Sequence, residues 1–509
     1  MLNQLRSKAG RAIGVLLMLG VGGQACAQAT VGAFYYPWWK GNPGHVFEQS
    51  LRGKLTPQAH DPLAGDYDSQ DMWAIAQHID QSQAGNISLW VNSWWGPGRF
   101  SAQTLEDHIL THPLISRVKQ AVLYESQGRL GSFDAPDYSN LSTDFDYLAQ
   151  HVFSDPNYMR IDGKPVVYLY LSRVYFKDAA GRAALDAVRQ QVLQDHGMQL
   201  YLIGDHVFGS VAGQAQGLDA IAAYDVYGQS YRPDGATLPS GTQRLANNFA
   251  AAANKPYVQN NDVDLIPTIS PGYNDKAVRD GNPAAPRYYE NLGTGTVGQP
   301  FLDQITQAAL PHVDADTGNL ILVNSFNEWH EDTQIEPTIT AGFTSTDTSP
   351  TNQFTQGKSY EGYGSRYLDI LRQQTGGPAE YELYNGVFGD VNQDGVLTVQ
   401  DVNAMGEHWE ASSAGLPLKQ IAMRGDWDLN GNTNFFDLQL LVAALNDAGT
   451  PISLADALYR INPIPGDTDY DGDVDDADLA TAFANYHRTH RLGHQAVFPG
   501  RHGPRRRRG

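Results

Sequence analysis

From residue 30 to about residue 375, short apolar runs rich in β-branched and aromatic residues alternate with longer amphipathic stretches. The runs are Thr30–Trp39, Asn86–Trp95, Gln120–Ser126, Pro165–Ser172, Gln199–Val207, Ala220–Gly228, Asp264–Tyr273 and Asn319–Trp329. They are nearly continuous in apolar residues, the pattern of strands buried on both faces. Between them, Gln70–Gln83, Ala179–His196 and Leu302–Leu310 carry helical periodicity. Eight β-then-α units predict an α/β fold, a closed (β/α)8 TIM barrel, with an open doubly wound sheet as the rival. The carboxyl ends of the runs turn polar or aromatic: Tyr35-Tyr36, Trp94-Trp95, Tyr124-Glu125, Asp205-His206, Asp225 with Tyr227, Tyr273 with Asp275, and Asn327-Glu328. A barrel enzyme builds its site at that face, so these residues predict one polar, aromatic cleft.

The pattern changes after residue 375. Residues 376–388, opening with Gly376-Gly377-Pro378, read as a linker, and residues 389–487 as a small all-α module. In that module Asp390, Asn392, Asp394, Thr398 and Asp401 occupy positions 1, 3, 5, 9 and 12 of an EF-hand-like calcium loop. Asp426, Asp428, Asn430, Asn434 and Asp437 repeat the frame, as do Asp467, Asp469, Asp471, Asp475 and Asp478. Gly395, Gly431 and Gly472 stand at position 6, where such a loop turns sharply. Residues 488–509, with Arg505-Arg506-Arg507-Arg508, read as a basic disordered tail.

At the other end, Arg6, Lys8 and Arg11 precede the apolar stretch Ala12–Val21, too short to span a bilayer. Ala25-Cys26-Ala27 or Ala27-Gln28-Ala29 then offers a small-x-small cleavage site. Residues 1–29 therefore predict a signal peptide and a secreted or periplasmic protein. Cleavage removes Cys26, the only cysteine, and with it any disulfide or thiolate metal site. Thirty-five basic against 56 acidic residues give a formal charge of −21, which disfavours nucleic acid and anionic membranes as partners. A neutral substrate, bound cations, or both fit that balance.

The densest chemistry lies in Asn324-Ser325-Phe326-Asn327-Glu328-Trp329-His330-Glu331-Asp332-Thr333-Gln334-Ile335-Glu336-Pro337. Glu328 and Glu331 are three apart, which on a tight turn or first helical turn sets both carboxyl groups on one side. Two close carboxylates do not both ionise easily, so one is expected to keep a proton. A protonated carboxyl beside an ionised one supplies the acid and the base of glycosidic cleavage. His330 raises a metal reading, but the segment lacks the two histidines of a zincin helix.

Ser325-Phe326-Asn327-Glu328-Trp329-His330-Glu331 with Gln334-Ile335-Glu336-Pro337 resembles the signature of glycoside hydrolase family 99, the endo-α-mannosidases and endo-mannanases. Phe34-Tyr35-Tyr36-Pro37-Trp38, Ser93-Trp94-Trp95-Gly96, Tyr124-Glu125, and Pro271-Gly272-Tyr273 with Asp275 and Arg279 match in the same order. The resemblance implies a (β/α)8 barrel, retention of configuration, and attack of the sugar's own 2-hydroxyl on C1 without a cofactor. It implies Glu328 as base on that hydroxyl and Glu331 as acid, then base. It implies substrate contacts from Tyr36, Trp95, Glu125, His206, Tyr227, Tyr273, Asn327, Trp329 and His330. Three departures stand out: Asp332 where the family usually has Gly, Ser126-Gln127 after Glu125, and the extra residue Lys40. The acidic loops likewise resemble dockerin repeats, which implies calcium and a cohesin-type partner. The expected function is a secreted endo-acting α-mannoside hydrolase. A hydrolase of another polysaccharide and a non-catalytic glycan-binding or scaffold protein are the alternatives.

Overall fold

The computed structural model describes residues 29–57, 60–205, 215–227, 237–279, 283–461, 476–477 and 479–480. The expected signal peptide, His206, the third acidic loop with Asp467, Asp469, Asp471, Asp475 and Asp478, and the arginine tail lie outside them. Strands β1 (Thr30–Tyr35), β2 (Ile87–Trp94), β3 (Lys119–Tyr124), β4 (Lys164–Leu169), β5 (Tyr201–Asp205), β6 (Ala220–Ala222), β7 (Asp264–Leu265), β8 (Thr268–Ile269) and β9 (Leu320–Val323) are parallel, in the order β7-β6-β5-β4-β3-β2-β1-β9-β8. The two ends of that order, β7 and β8, are halves of one predicted run, parted at Ile266-Pro267. Proline has no N–H to donate to a ladder, so the run breaks there. Ile266 N donates backward to Ile221 O (2.9 Å), whereas Pro267 O accepts from Leu322 N (2.9 Å) and Ile269 O from Asn324 N (2.8 Å). One broken segment thus bonds to both neighbours and closes the ring, which removes the open-sheet rival.

Alternation along the strands sorts side chains into two buried layers. Phe34, Leu89, Val91, Leu123, Tyr168 and Leu322 belong to the layer inside the ring. Val31, Tyr35, Trp90, Val122, Val167 and Val323 belong to the layer beneath the helices. A Cβ on Gly32 would stand 2.9 Å from Leu322 Cδ2 and 3.0 Å from Leu89 Cδ2, so glycine there lets two leucines fill the axis. The covering helices include α1 (Met72–Ala84), α2 (Ser139–His151), α3 (Ala179–His196), α4 (Pro239–Ala253) and α5 (Arg366–Gln374). Asp71 caps α1 by accepting from Trp73 N and Ala74 N, and Gly197 ends α3 in the left-handed region at φ 68°.

The C-terminal residues form α6 (Val399–Gly406), α7 (Leu418–Arg424), α8 (Phe435–Asp447) and α9 (Leu454–Ile461). Val402, Leu418 and Leu441 of these helices, with Trp427 from the loop between α7 and α8, belong to one apolar cluster with the barrel helices. The segment expected as a linker is packed, not free. Tyr381 Oη and Tyr384 N both donate to the Asp80 carboxylate on α1 (2.6 and 2.9 Å). Trp73, also on α1, donates from Nε1 to Trp427 O (3.0 Å), and its ring lies tilted against Trp427 (centres 5.1 Å apart) and edge-on to Phe388 (5.4 Å). The module is therefore seated on α1.

Candidate active site

The residues that follow the strands meet around one cavity of about 560 Å³. Tyr36 follows β1, Trp95 follows β2, Glu125 follows β3 and Tyr170 follows β4, while Tyr224 stands two residues beyond β6. All line the cavity, with Trp38, Arg279, Glu328, His330 and Glu331. The size is that of a small-molecule site.

The loop after β9 is tied at several points, which is why so polar a segment keeps one shape. Phe326 N donates to Phe34 O (2.8 Å), Ser325 N to Thr333 O (2.9 Å) and Glu336 N to Phe326 O (2.8 Å). Ser325 Oγ accepts from Glu328 N (2.8 Å), and Asn274 N donates to Glu331 O (2.6 Å). Below the loop the buried Glu336 carboxylate accepts from Trp329 Nε1 (2.8 Å), Tyr67 Oη (2.9 Å) and His78 Nε2 (3.2 Å).

Glu328 is 4 % exposed and its carboxylate accepts from His330 N (2.9 Å). Burial, reinforced by the charge of Glu331, holds its pKa well above the carboxylate range. Burial also raises Glu331, but the Arg279 guanidinium, which pairs with its Oε1, pulls the other way. Of the pair, Glu328 therefore holds a proton the more readily. Glu331 Oε2 is buried with no hydrogen-bond partner among the described residues. Glu125 accepts from Ser93 Oγ (2.7 Å), which accepts in turn from Trp95 Nε1 (2.9 Å). Burial pushes the Glu125 pKa up to about 8. Burial lowers His330 to about 3, so its imidazole is neutral, and its Nε2 has no partner among the described residues.

Of the predicted contacts, Tyr36, Trp95, Glu125 and His330 line the cavity with the glutamate pair. Two expectations need correction. Trp329 is fully buried, with its N–H spent on Glu336, and Asn327 is fully buried, accepting from Tyr36 N (2.7 Å) and donating to Tyr67 Oη (3.2 Å). Both lie beneath the loop and hold it. Tyr227 and Tyr273 are buried and stacked, ring centres 4.1 Å apart, and after burial the charge of Glu331 is the next influence that raises both hydroxyls, which sets the stack beside the glutamate pair. Sequence reasoning missed Trp38, Tyr170 and Tyr224 as wall residues, although their places at strand ends were a usable signal. The Tyr36 and Tyr224 hydroxyls bond to each other across the ring.

Groups of three metal-capable side chains among the described residues lie away from His330, at Asp264, Asp314 and Asp316 and at Asp426, Asp428 and Asp437. The second group brings together positions 1, 3 and 12 of an acidic loop, with carboxylate oxygens within 4.8 Å of one another. Asp426 Oδ1 is buried there without a hydrogen-bond partner among the described residues. Burial and mutual repulsion raise Asp437 to about 8 and Asp428 to about 6, a strain a divalent cation relieves. The donor set fits calcium. In the first loop Asp390 accepts from Asp394 N (3.1 Å) and Gly395 N (2.8 Å), and Asp401 from Val391 N (2.9 Å). Thr398 and Asn434 cap α6 and α8 by accepting from Gln400 N and Phe436 N.

The sequence profile of Glycosyl hydrolase family 99 matches residues 28–349. A glycoprotein endo-alpha-1,2-mannosidase of Mus musculus is 23% identical over 338 residues, 60% of this chain and 67% of that protein. A glycoprotein endo-alpha-1,2-mannosidase-like protein of Homo sapiens is 24% identical, over 60% of this chain and 68% of its own length. Among solved structures, a GH99 endo-alpha-mannosidase from Bacteroides thetaiotaomicron is 22% identical, with a TM-score of 0.46 over 68% of this chain and 96% of that one.

Proposed function

This chain belongs to glycosyl hydrolase family 99 and is a glycoside hydrolase, and from that premise we propose that it cuts internal α-mannosidic bonds in a mannan-type polysaccharide or glycan, with retention of configuration. The observation that carries the reading is the pair of the buried Glu328 and the partly buried Glu331, on one turn after the last strand and both open to the cavity.

In the proposed cycle the 2-hydroxyl of the bound sugar attacks its own C1 as Glu328 takes the hydroxyl proton. The bond from C1 to the leaving oxygen breaks, and Glu331 gives that oxygen its proton. The product is a 1,2-anhydro sugar. Water then gives a proton to Glu331 and adds to C1, the C1–O2 bond opens, and O2 recovers its proton from Glu328. The cycle starts with the proton on Glu331, whereas the pairing of Glu331 with Arg279 favours it on Glu328. A sugar that takes over the hydrogen bonds of Arg279 removes the cation's hold on Glu331 and lets the proton move.

Trp95 and Trp38 offer faces for sugar rings, and the pair Tyr36–Tyr224, His330 and a neutral Glu125 offer hydrogen bonds to hydroxyls. The apolar stretch near the N-terminus supports export, and no helix among the described residues is long and apolar enough to cross a membrane. Calcium in the acidic loops is supported by the convergence of Asp426, Asp428 and Asp437. A cohesin-type partner rests on the dockerin-like spacing alone.

Incubation with an α-mannan should release new reducing ends, and Glu331→Gln should abolish the release. Unchanged activity in that variant, or cleavage of another polysaccharide with every α-mannan left intact, refutes the assignment.

A further inference from the structure

Next to Glu331 the backbone does something side chains rarely allow. Asp332 adopts φ 49°, in the left-handed region, while fully buried. Two buried arginines from distant parts of the chain converge on it. Arg52 Nε donates to Asp332 Oδ1 (2.7 Å), and Arg287 Nη2 donates to the main-chain Asp332 O (2.9 Å) with its carboxylate 3.4 Å away. Both guanidinium groups are fixed in turn. Arg52 Nη1 donates to Glu361 O (2.6 Å), its Cζ lying 5.3 Å from the Tyr360 ring, and Arg287 stacks over Tyr363 and Tyr367 at 4.9 and 5.0 Å. With Asn274 N on Glu331 O, two successive carbonyls are held from outside the loop.

We propose that Arg52, Asp332 and Arg287 form a positioning unit that clamps the Asp332 side chain and the Asp332–Thr333 peptide, directly after Glu331, and so aims the Glu331 carboxyl at the leaving oxygen. The unit touches no substrate, since none of the three lines the cavity. The inference rests on the reading of Glu331 as the acid. Its physical basis is that one carboxylate shared by two buried guanidinium groups at a left-handed residue is held in a single arrangement, and that arrangement fixes the direction of the preceding side chain. Misplacing a reacting group by about 1 Å costs on the order of 100-fold in rate.

The test compares kcat/KM on two substrates that differ in need for a proton: an α-mannan oligosaccharide, whose leaving group is a sugar hydroxyl, and an α-mannobiosyl fluoride, whose fluoride leaves unprotonated. Asp332→Asn keeps a residue that tolerates the left-handed region but removes the charge between the arginines. Arg287→Lys keeps the charge and loses the planar fork. Each variant should lose roughly 10- to 100-fold on the oligosaccharide and less than about 3-fold on the fluoride. The ratio of the two is unaffected by the fraction of protein that is folded. Equal losses on both substrates, or no loss, with Glu331→Gln still selective for the oligosaccharide, overturn the positioning unit alone. Equal losses in Glu331→Gln itself overturn the acid assignment and the inference with it.

Discussion

Glu125 gives the sharpest test of the cavity's electrostatics. It is 5 % exposed, hydrogen-bonded to Ser93, and pushed by burial from 4.5 to about 8. A carboxyl whose folded pKa lies above its unfolded value stabilises the fold fully below about pH 4.5, and that contribution is lost as pH rises through about 8. Each pH unit in the interval is worth about 1.36 kcal/mol, so between about pH 5 and about pH 9 the ionisation of Glu125 costs the fold about 4 kcal/mol. Glu125→Gln retains an acceptor for Ser93 and never ionises. Urea denaturation of both proteins at the two pH values measures the effect: the natural protein should lose about 4 kcal/mol more than the variant between them. Parallel losses in the two proteins would show that Glu125 ionises normally, and the neutral hydrogen-bond donor invoked for the sugar would go with it.

Three further outcomes follow from other parts of the molecule. Arg279→Gln removes the cation that favours ionised Glu331, so the basic limb of the kcat/KM profile against pH should move to higher pH; a limb that stays put or moves down contradicts the pairing. Trp73→Ala removes the indole seated on Trp427 and Phe388, and should cost about 3–5 kcal/mol in urea denaturation; a loss below about 1 kcal/mol means the module is not braced against α1. Calcium should raise the calorimetric unfolding temperature and Asp437→Asn should reduce that rise, whereas indifference to calcium rejects the acidic loops as sites.

The amino-acid sequence by itself determined the features that depend on short range. Eight parallel segments were legible because strands buried on both faces must be apolar throughout, and Ala179–His196 was legible as a helix from its amphipathic periodicity. Glu328 and Glu331 stood out because three residues of spacing bring two carboxyl groups together on almost any turn. Asp426, Asp428 and Asp437 converge for the same reason, since one loop supplies them all.

Tertiary structure alone decided which side of a turn each residue takes. Trp95 and Trp329 are equally conspicuous in sequence, yet one lines the cavity and the other lies under the loop, because only Trp329 finds a buried carboxylate, Glu336, for its N–H. The packing of residues 376–388 on α1 depends on Tyr381 meeting Asp80 across 301 positions of chain, which no local pattern records. Asp332 is the clearest case. In the sequence it stands out only as an acidic residue where the family usually has Gly. In the fold it is the counter-charge of Arg52 and Arg287, because a buried ion must be met by partners that only the closed barrel brings within reach.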